Sequence, residues 1–203
     1  MRRPFVLLLV LAALPASPAL AQQGTYNLFI APMGEPFRAP VGKPYPSDQW
    51  FAKADANHDG AVTRDEFRAD AVRFFKVLDV DGDGKIRDDE IVRYEKQMAP
   101  EIVANSFDTS NTQPVNASDD DNTLGKHTPL ANVRQGAANF SFLGDPEPVR
   151  SADSDFNFKI TPEEWQAAAD RKFKLLDPNG TGALKYADLP LAPPQTAKIN
   201  RQP

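Results

Sequence analysis

Side-chain oxygens recur at fixed intervals in two stretches of this 203-residue chain. Between residues 55 and 66 they belong to Asp55, Asn57, Asp59, Thr63 and Glu66, and between residues 79 and 90 to Asp79, Asp81, Asp83 and Glu90. A hard cation such as calcium takes roughly six to eight oxygens. A twelve-residue loop supplies them from side chains at positions 1, 3 and 5, a backbone carbonyl at 7, a contact at 9 often made through water, and a bidentate carboxylate at 12. Ala61 and Lys85 stand at position 7, where only the carbonyl is used. Gly60 and Gly84 stand at position 6, where the chain turns sharply and glycine adopts positive φ without steric strain.

Positioning these oxygens requires a helix on either side of each loop. Residues 47–54 predict an entering helix capped by Ser47, with Trp50, Phe51 and Ala54 inward. Between the loops, apolar residues at 67, 71, 74, 75 and 78 draw one stripe along a helix over residues 64–78. At 1.5 Å per residue, such a helix spans about 22 Å. Loops at its two ends cannot lie side by side, so each is expected to pair with a loop from the other half of the chain. After Glu90 a helix is expected through Ile91, Val92 and Tyr94 to about Met98, ahead of Pro100. The two loops resemble those of the EF-hand family, and specifically of the EF-hand proteins that bacteria export. The resemblance implies calcium as the bound ion and a mainly α fold of helix–loop–helix repeats.

A shift of 98 residues reproduces the pattern: Asp55 falls on Asp153, Glu66 on Glu164, Phe67 on Trp165, Phe75 on Phe173, Leu78 on Leu176 and Asp79 on Asp177. The chain therefore reads as internally duplicated, with four loops in two tandem units. Position 8 is apolar in all four (Val62, Ile86, Ile160, Leu184), as a short backbone bridge between paired loops requires. The third loop offers Asp153, Asp155, Asn157, the Lys159 carbonyl and Glu164, but Phe158 takes the glycine position. That loop must accept strain of about 1–2 kcal/mol or open into another shape. The fourth offers Asp177, Asn179, Thr181, the Ala183 carbonyl and Asp188, whose side chain is shorter than glutamate. It is expected to bind weakly, or to be structural without metal. Thr161, Pro162 and Glu164 also read as an ordinary helix start.

The remaining segments are read from composition. Arg2 and Arg3 before an apolar run, then Ala19, Leu20 and Ala21, mark residues 1–21 as a signal peptide cleaved after Ala21 and the product as periplasmic or secreted. Residues 22–46 hold five prolines and read as an extended arm that either lies over the helical body or docks on a partner. Unit 1 covers 47–98, a loop-rich linker 99–148, a degenerate unit 2 149–191, and a flexible tail 192–203. Within the linker, the acidic run 119–121 lacks a turn glycine and reads as a solvated charge run, the sequon at Asn116 is set aside, and the segment around Phe140, Phe142 and Leu143 packs back onto the body.

Function classes fall away on the same grounds. Loss of two arginines and no acids with residues 1–21 moves the net charge from −5 to −7, which argues against nucleic acid. No later segment is long enough for membrane insertion. Without cysteine there are no disulfides or thiolate metal sites, leaving bound metal to stabilise the fold. The two histidines, His58 and His127, read as surface residues, and no nucleophile, base and open metal site converge, so no enzyme is expected. Three readings remain: calcium that holds the fold and is buffered, a calcium-dependent sensor, or an accessory subunit docking on another exported protein through the arm. Only Met33 and Met98 survive in the mature chain, which disfavours a methionine-rich sensor groove.

Overall fold

The computed structural model describes residues 26–106 and 134–193. The expected signal peptide, the acidic run 119–121, Asn116, His127 and residues 194–203 lie outside the described residues.

Two fifteen-residue helices form the centre. The first, α2 (Arg64–Leu78), starts where Thr63 and Glu66 exchange side-chain and backbone hydrogen bonds, and buries all five residues of its stripe. The second, α5 (Pro162–Leu176), starts the same way with Thr161, Pro162 and Glu164, and buries Trp165, Ala169, Phe173 and Leu176. Their faces meet reciprocally. Phe67 lies edge-on to Phe173 at 5.6 Å, and Phe75 edge-on to Trp165 at 5.9 Å. Adding 98 to Phe67 and subtracting it from Phe173 converts one pair into the other, so the halves are related by a local two-fold axis. Close approach is allowed by the buried Ala71 and Ala169, and Trp165 Nε1 donates to the Ala71 carbonyl at 2.7 Å.

The loops pair across the halves. Strand β3 (Ala61–Thr63) runs antiparallel to β6 (Ala183–Lys185) with Val62 opposite Leu184. Strand β4 (Ile86–Arg87) runs antiparallel to β5 (Lys159–Ile160) with Ile86 opposite Ile160. Val62 and Ile86 do not pair with each other, as the length of α2 dictates. The shift of 98 exchanges these ladders as it exchanges the ring pairs.

The outer helices differ between halves. Helix α1 (Ser47–Ala54) enters the first loop. Helix α3 (Asp88–Arg93) leaves the second and continues as a π-helical turn, Tyr94–Met98. Their counterparts are only 3-10 turns, Arg150–Ala152 and Tyr186–Asp188, because Pro146, Pro148 and Pro190 deny helical hydrogen bonds on either side.

The N-terminal arm covers the body as a hairpin rather than as one extended segment. Strand β1 (Tyr26–Ile30) pairs with β2 (Pro36–Pro40), with Pro36 and Pro40 at the two ends of the register. A two-stranded hairpin has only edges, and edges tolerate proline. Phe29 packs against Phe142 at 4.6 Å and Trp50 at 6.0 Å. Beyond it the Tyr94 hydroxyl donates to the Gly34 carbonyl at 2.7 Å. Gly34 has φ +102, and a Cβ there would lie 2.9 Å from a Val149 methyl, so both space and backbone demand glycine. Glu35 pairs with Arg73 of α2 and, at 2.9 Å, with Lys53 of α1.

Other expectations need correction. Ser47 does not cap α1: Pro46 is the N-cap, and the Ser47 hydroxyl instead shares a 2.7 Å hydrogen bond with the Tyr186 hydroxyl. The linker is not loop throughout. Helix α4 (Pro100–Ser106) begins on Pro100, because proline at the first helical position starts a helix as readily as it ends one, and Ile102 is fully buried. Tyr26 and Arg38 tie the hairpin to α4 through Glu101, at 2.7 and 2.8 Å. Residues 136–149 do pack back, burying Ala137, Phe142 and Val149. Ala192, placed at the start of the tail, is buried. Among the described residues no helix is long and apolar enough to cross a membrane.

Candidate metal centre

One backbone frame recurs in all four loops. The amide at position 6 donates to the position-1 carboxylate Oδ2: Gly60 to Asp55 at 2.9 Å, Gly84 to Asp79 at 3.0 Å, Phe158 to Asp153 at 2.9 Å and Gly182 to Asp177 at 2.8 Å. Positions 4 and 6 have positive φ in every loop: His58 and Gly60, Gly82 and Gly84, Phe156 and Phe158, Gly180 and Gly182. The third loop thus keeps the frame and accepts the strain, with Phe158 at φ 63 and Phe156 at φ 59. His58 is exposed, as its position predicts.

The carboxylates at position 12 close the first three loops. Glu66 accepts from the amides of Thr63 at 2.9 Å and Asn57 at 3.3 Å. Glu90 accepts from Arg87 at 3.0 Å and Val80 at 2.6 Å. Glu164 accepts from Thr161 at 3.0 Å and Ser154 at 3.0 Å, and Ser154 adds its hydroxyl at 2.9 Å. These bonds favour the ionised form: the Thr63 amide leads in holding Glu66 below the usual carboxylate range, and the Thr161 amide leads in holding Glu164 at about 2. Asp188 is exposed and closes nothing comparable among the described residues.

The second loop fits a cation best. Asp79, Asp81 and Asp83 bring carboxylate oxygens within 4.8 Å of one another, with Glu90 buried at the loop's end. Asp79 Oδ1 is buried without any hydrogen-bond partner. In the other loops this oxygen takes the position-5 amide: Asp59 at 3.1 Å, Asn157 at 3.3 Å, Thr181 at 2.8 Å. In the second, the Asp83 amide turns to Asp81 at 3.0 Å instead. A buried, unsatisfied carboxylate oxygen beside the carboxylates of Asp81 and Asp83, the latter paired with Arg87, is a donor set that a hard cation satisfies once Arg87 gives way. Asp55, buried in the first loop, has no lysine or arginine partner among the described residues. Its neighbours Asn57 and Asp59 bond each other at 2.9 Å, and Thr63 caps α2. Asp153, Asp155 and Glu164 form a second acidic group in the third loop, while Asn157 donates to Asp155 at 2.8 Å. At position 7, Ala61, Lys159 and Ala183 lie in the ladder strands, and Lys85 immediately precedes Ile86.

The fourth loop closes on a hydroxyl. Thr181 Oγ1 lies 3.0 Å from Asp177 Oδ1 and 2.8 Å from the Ala183 carbonyl, so its hydroxyl can donate to either. These are oxygens of positions 1, 5 and 7, drawn together by a donor side chain. The Gly182 amide leads in lowering the Asp177 pKa. Thr181, expected among the ligand oxygens of the fourth loop, stands here as a donor. The signal that reveals its role is that threonine, unlike aspartate at the same position, can donate.

An EF hand family model matches residues 48–69 and 71–93, which contain the first and second loops. Neither curated proteins nor solved structures give a match.

Proposed function

We propose that this chain is an exported, non-enzymatic calcium-binding protein in which the ion holds the fold and is buffered. The observation that carries the proposal is the buried, unpartnered Asp79 Oδ1 within the cluster of Asp79, Asp81 and Asp83, inside a segment matched by the EF hand family model. The first loop is the second calcium site, and the third is a weaker one. The four loops make two pairs, each joining one loop from either half, with the second half a degenerate copy.

A structural role is favoured over a sensor role by what covers the helices. Phe29, Ile30, Met33, Phe142 and Val149 are buried in one core with Trp50 of α1, Phe67 of α2 and Tyr94, so a target's apolar residues would have to displace the chain's own. The same contacts weigh against docking on another exported protein through residues 22–46, since the hairpin would first have to leave. Export rests on the leader-like residues 1–21.

Calorimetric titration with calcium, with melting curves in calcium and in chelator, tests the reading. Calcium at a hundred times Kd raises stability by about 2.7 kcal/mol per site. Raised melting without new binding of an apolar dye supports a structural ion. Calcium-dependent dye binding overturns it in favour of a sensor, and no heat of binding at millimolar calcium overturns calcium binding altogether.

A further inference from the structure

We infer that Thr181 is a positioning residue for the calcium site of the first loop: its hydroxyl does in the fourth loop what an ion does elsewhere, and so orders the first loop before calcium arrives. The inference rests on the reading of residues 55–66 as a calcium site.

The chain of contacts is short. Thr181 Oγ1 bridges Asp177 Oδ1 and the Ala183 carbonyl, at 3.0 and 2.8 Å. The Ala183 amide in turn approaches Thr181 Oγ1 at 3.4 Å, and the Thr181 amide donates to Asp177 Oδ1 at 2.8 Å. Position 7 of the fourth loop is thereby tied to position 1 through a side chain of the chain itself. Ala183 is the first residue of β6, whose register sets Thr63 opposite Ala183, Val62 opposite Leu184 and Ala61 opposite Lys185. Ala61 and Thr63 are positions 7 and 9 of the first loop. A strand fixed on the fourth-loop side holds them in place, and the ordering entropy is removed from the binding step.

The other pair lacks this device. Position 5 of the third loop is Asn157, whose amide group donates at 2.8 Å to Asp155, not to Asp153 or the Lys159 carbonyl. The Asn157 carbonyl oxygen does accept the Lys159 amide at 2.9 Å, but among the described residues no side-chain donor there spans the position-1 carboxylate and the position-7 carbonyl. Loss of the Thr181 hydroxyl therefore acts on the first loop and spares the second.

The test follows the amide signals of Gly60 and Gly84 by NMR during calcium titration of the full chain, each glycine reporting its own loop. Thr181→Val keeps the shape and removes the donor. The expected result is about tenfold weaker calcium binding read at Gly60, a change of less than twofold at Gly84, and recovery of Gly60 in T181S. Gly182 is expected to shift little with calcium in the unaltered chain. The Gly84 signal in the same spectra shows that the variant is folded. Equal weakening at both glycines, or unchanged affinity at Gly60 in T181V, overturns the inference alone. If Gly60 in the unaltered chain ignores millimolar calcium, the calcium reading of the first loop fails and the inference falls with it.

Discussion

The second and fourth loops share the bond from the position-6 amide to the position-1 carboxylate, yet they treat that carboxylate's other oxygen in opposite ways. Asp79 Oδ1 is buried and unpartnered, while Asp177 Oδ1 receives the Thr181 amide and lies within reach of its hydroxyl. The twelve-residue frame is thus a backbone object common to loops whose side chains differ. The fourth loop differs from the second in having a hydroxyl donor against the position-1 carboxylate, where the second leaves one carboxylate oxygen unsatisfied.

If the two ladders are equivalent in packing, removing either partner must be equally damaging. Ile160 and Leu184 are both buried opposite their mates. Ile160→Ala and Leu184→Ala are each expected to lower unfolding stability by about 2–5 kcal/mol in chelator, measured by urea denaturation. A loss confined to one ladder would mean that the local two-fold axis does not extend to the energetics.

The next largest effect separates the loops by ion dependence. Asp79→Asn removes the charge behind the unpartnered Oδ1 while an amide oxygen can still accept from Gly84, so stability in chelator is expected to rise by about 1 kcal/mol, while the calcium-induced rise of about 2.7 kcal/mol from that site disappears. Asp177→Asn should do the reverse. A carboxamide has a single oxygen and cannot replace both acceptors of the Thr181 and Gly182 amides, so melting is expected to fall equally in calcium and in chelator, with the calcium-induced rise intact. A calcium response lost in the Asp177 variant would make the fourth loop a metal site after all.

The third loop offers a smaller test. Phe156 is 82% and Phe158 66% exposed, so neither gains much packing in return for positive φ. Glycine at either site relieves about 1–2 kcal/mol of strain and loses part of that to unfolded-state entropy. Phe158→Gly is expected to stabilise the protein by about 1 kcal/mol in chemical denaturation. Destabilisation would show that the ring is held by contacts within the chain.

The same distinction explains what could be read in advance. The first two loops are legible because oxygen ligands and a turn glycine must fall at fixed spacing, and α2 because Phe67, Ala71, Phe74, Phe75 and Leu78 keep helical period. Pairing across the halves followed from the length of α2 alone. The hairpin at 26–40 was hidden because Pro36 and Pro40 sit at register ends that only a non-local pairing defines. Pro100 carries the same local signal whether it ends a helix or begins one. Lys172 shows the limit from the other side: it occupies the place of Phe74 in the duplicated pattern and is nonetheless buried. Its ammonium reaches the Pro148 carbonyl at 2.8 Å and Asp145 at 3.0 Å. Burial lowers its pKa while Asp145 opposes the shift. No spacing within α5 reveals those partners, which come from the segment leading into the third loop.

The smallest expected effect probes where the two-fold relation breaks. Asp170 on α5 accepts from Arg68 at 2.6 and 2.7 Å and from Arg64 at 3.0 Å, whereas the position 98 residues earlier is Val72. The Arg68 hydrogen bonds, followed by those of Arg64, hold the Asp170 carboxyl at about 2. A carboxylate with a folded-state pKa below its unfolded value adds stability in full above about pH 4, and that stability drains away as the pH falls toward 2. Both arginines are well exposed, so solvent screening reduces the contribution to on the order of 1 kcal/mol. The stability difference between the unaltered chain and Asp170→Asn, taken from denaturation curves between pH 6 and pH 2, is expected to be flat above pH 5 and to shrink toward zero at the acid end. Subtracting the two curves cancels the titration of Glu66 and Glu164, which is common to both proteins. A difference that persists unchanged at pH 2 would assign Asp170 a packing role that Val72 fills equally well in the other half.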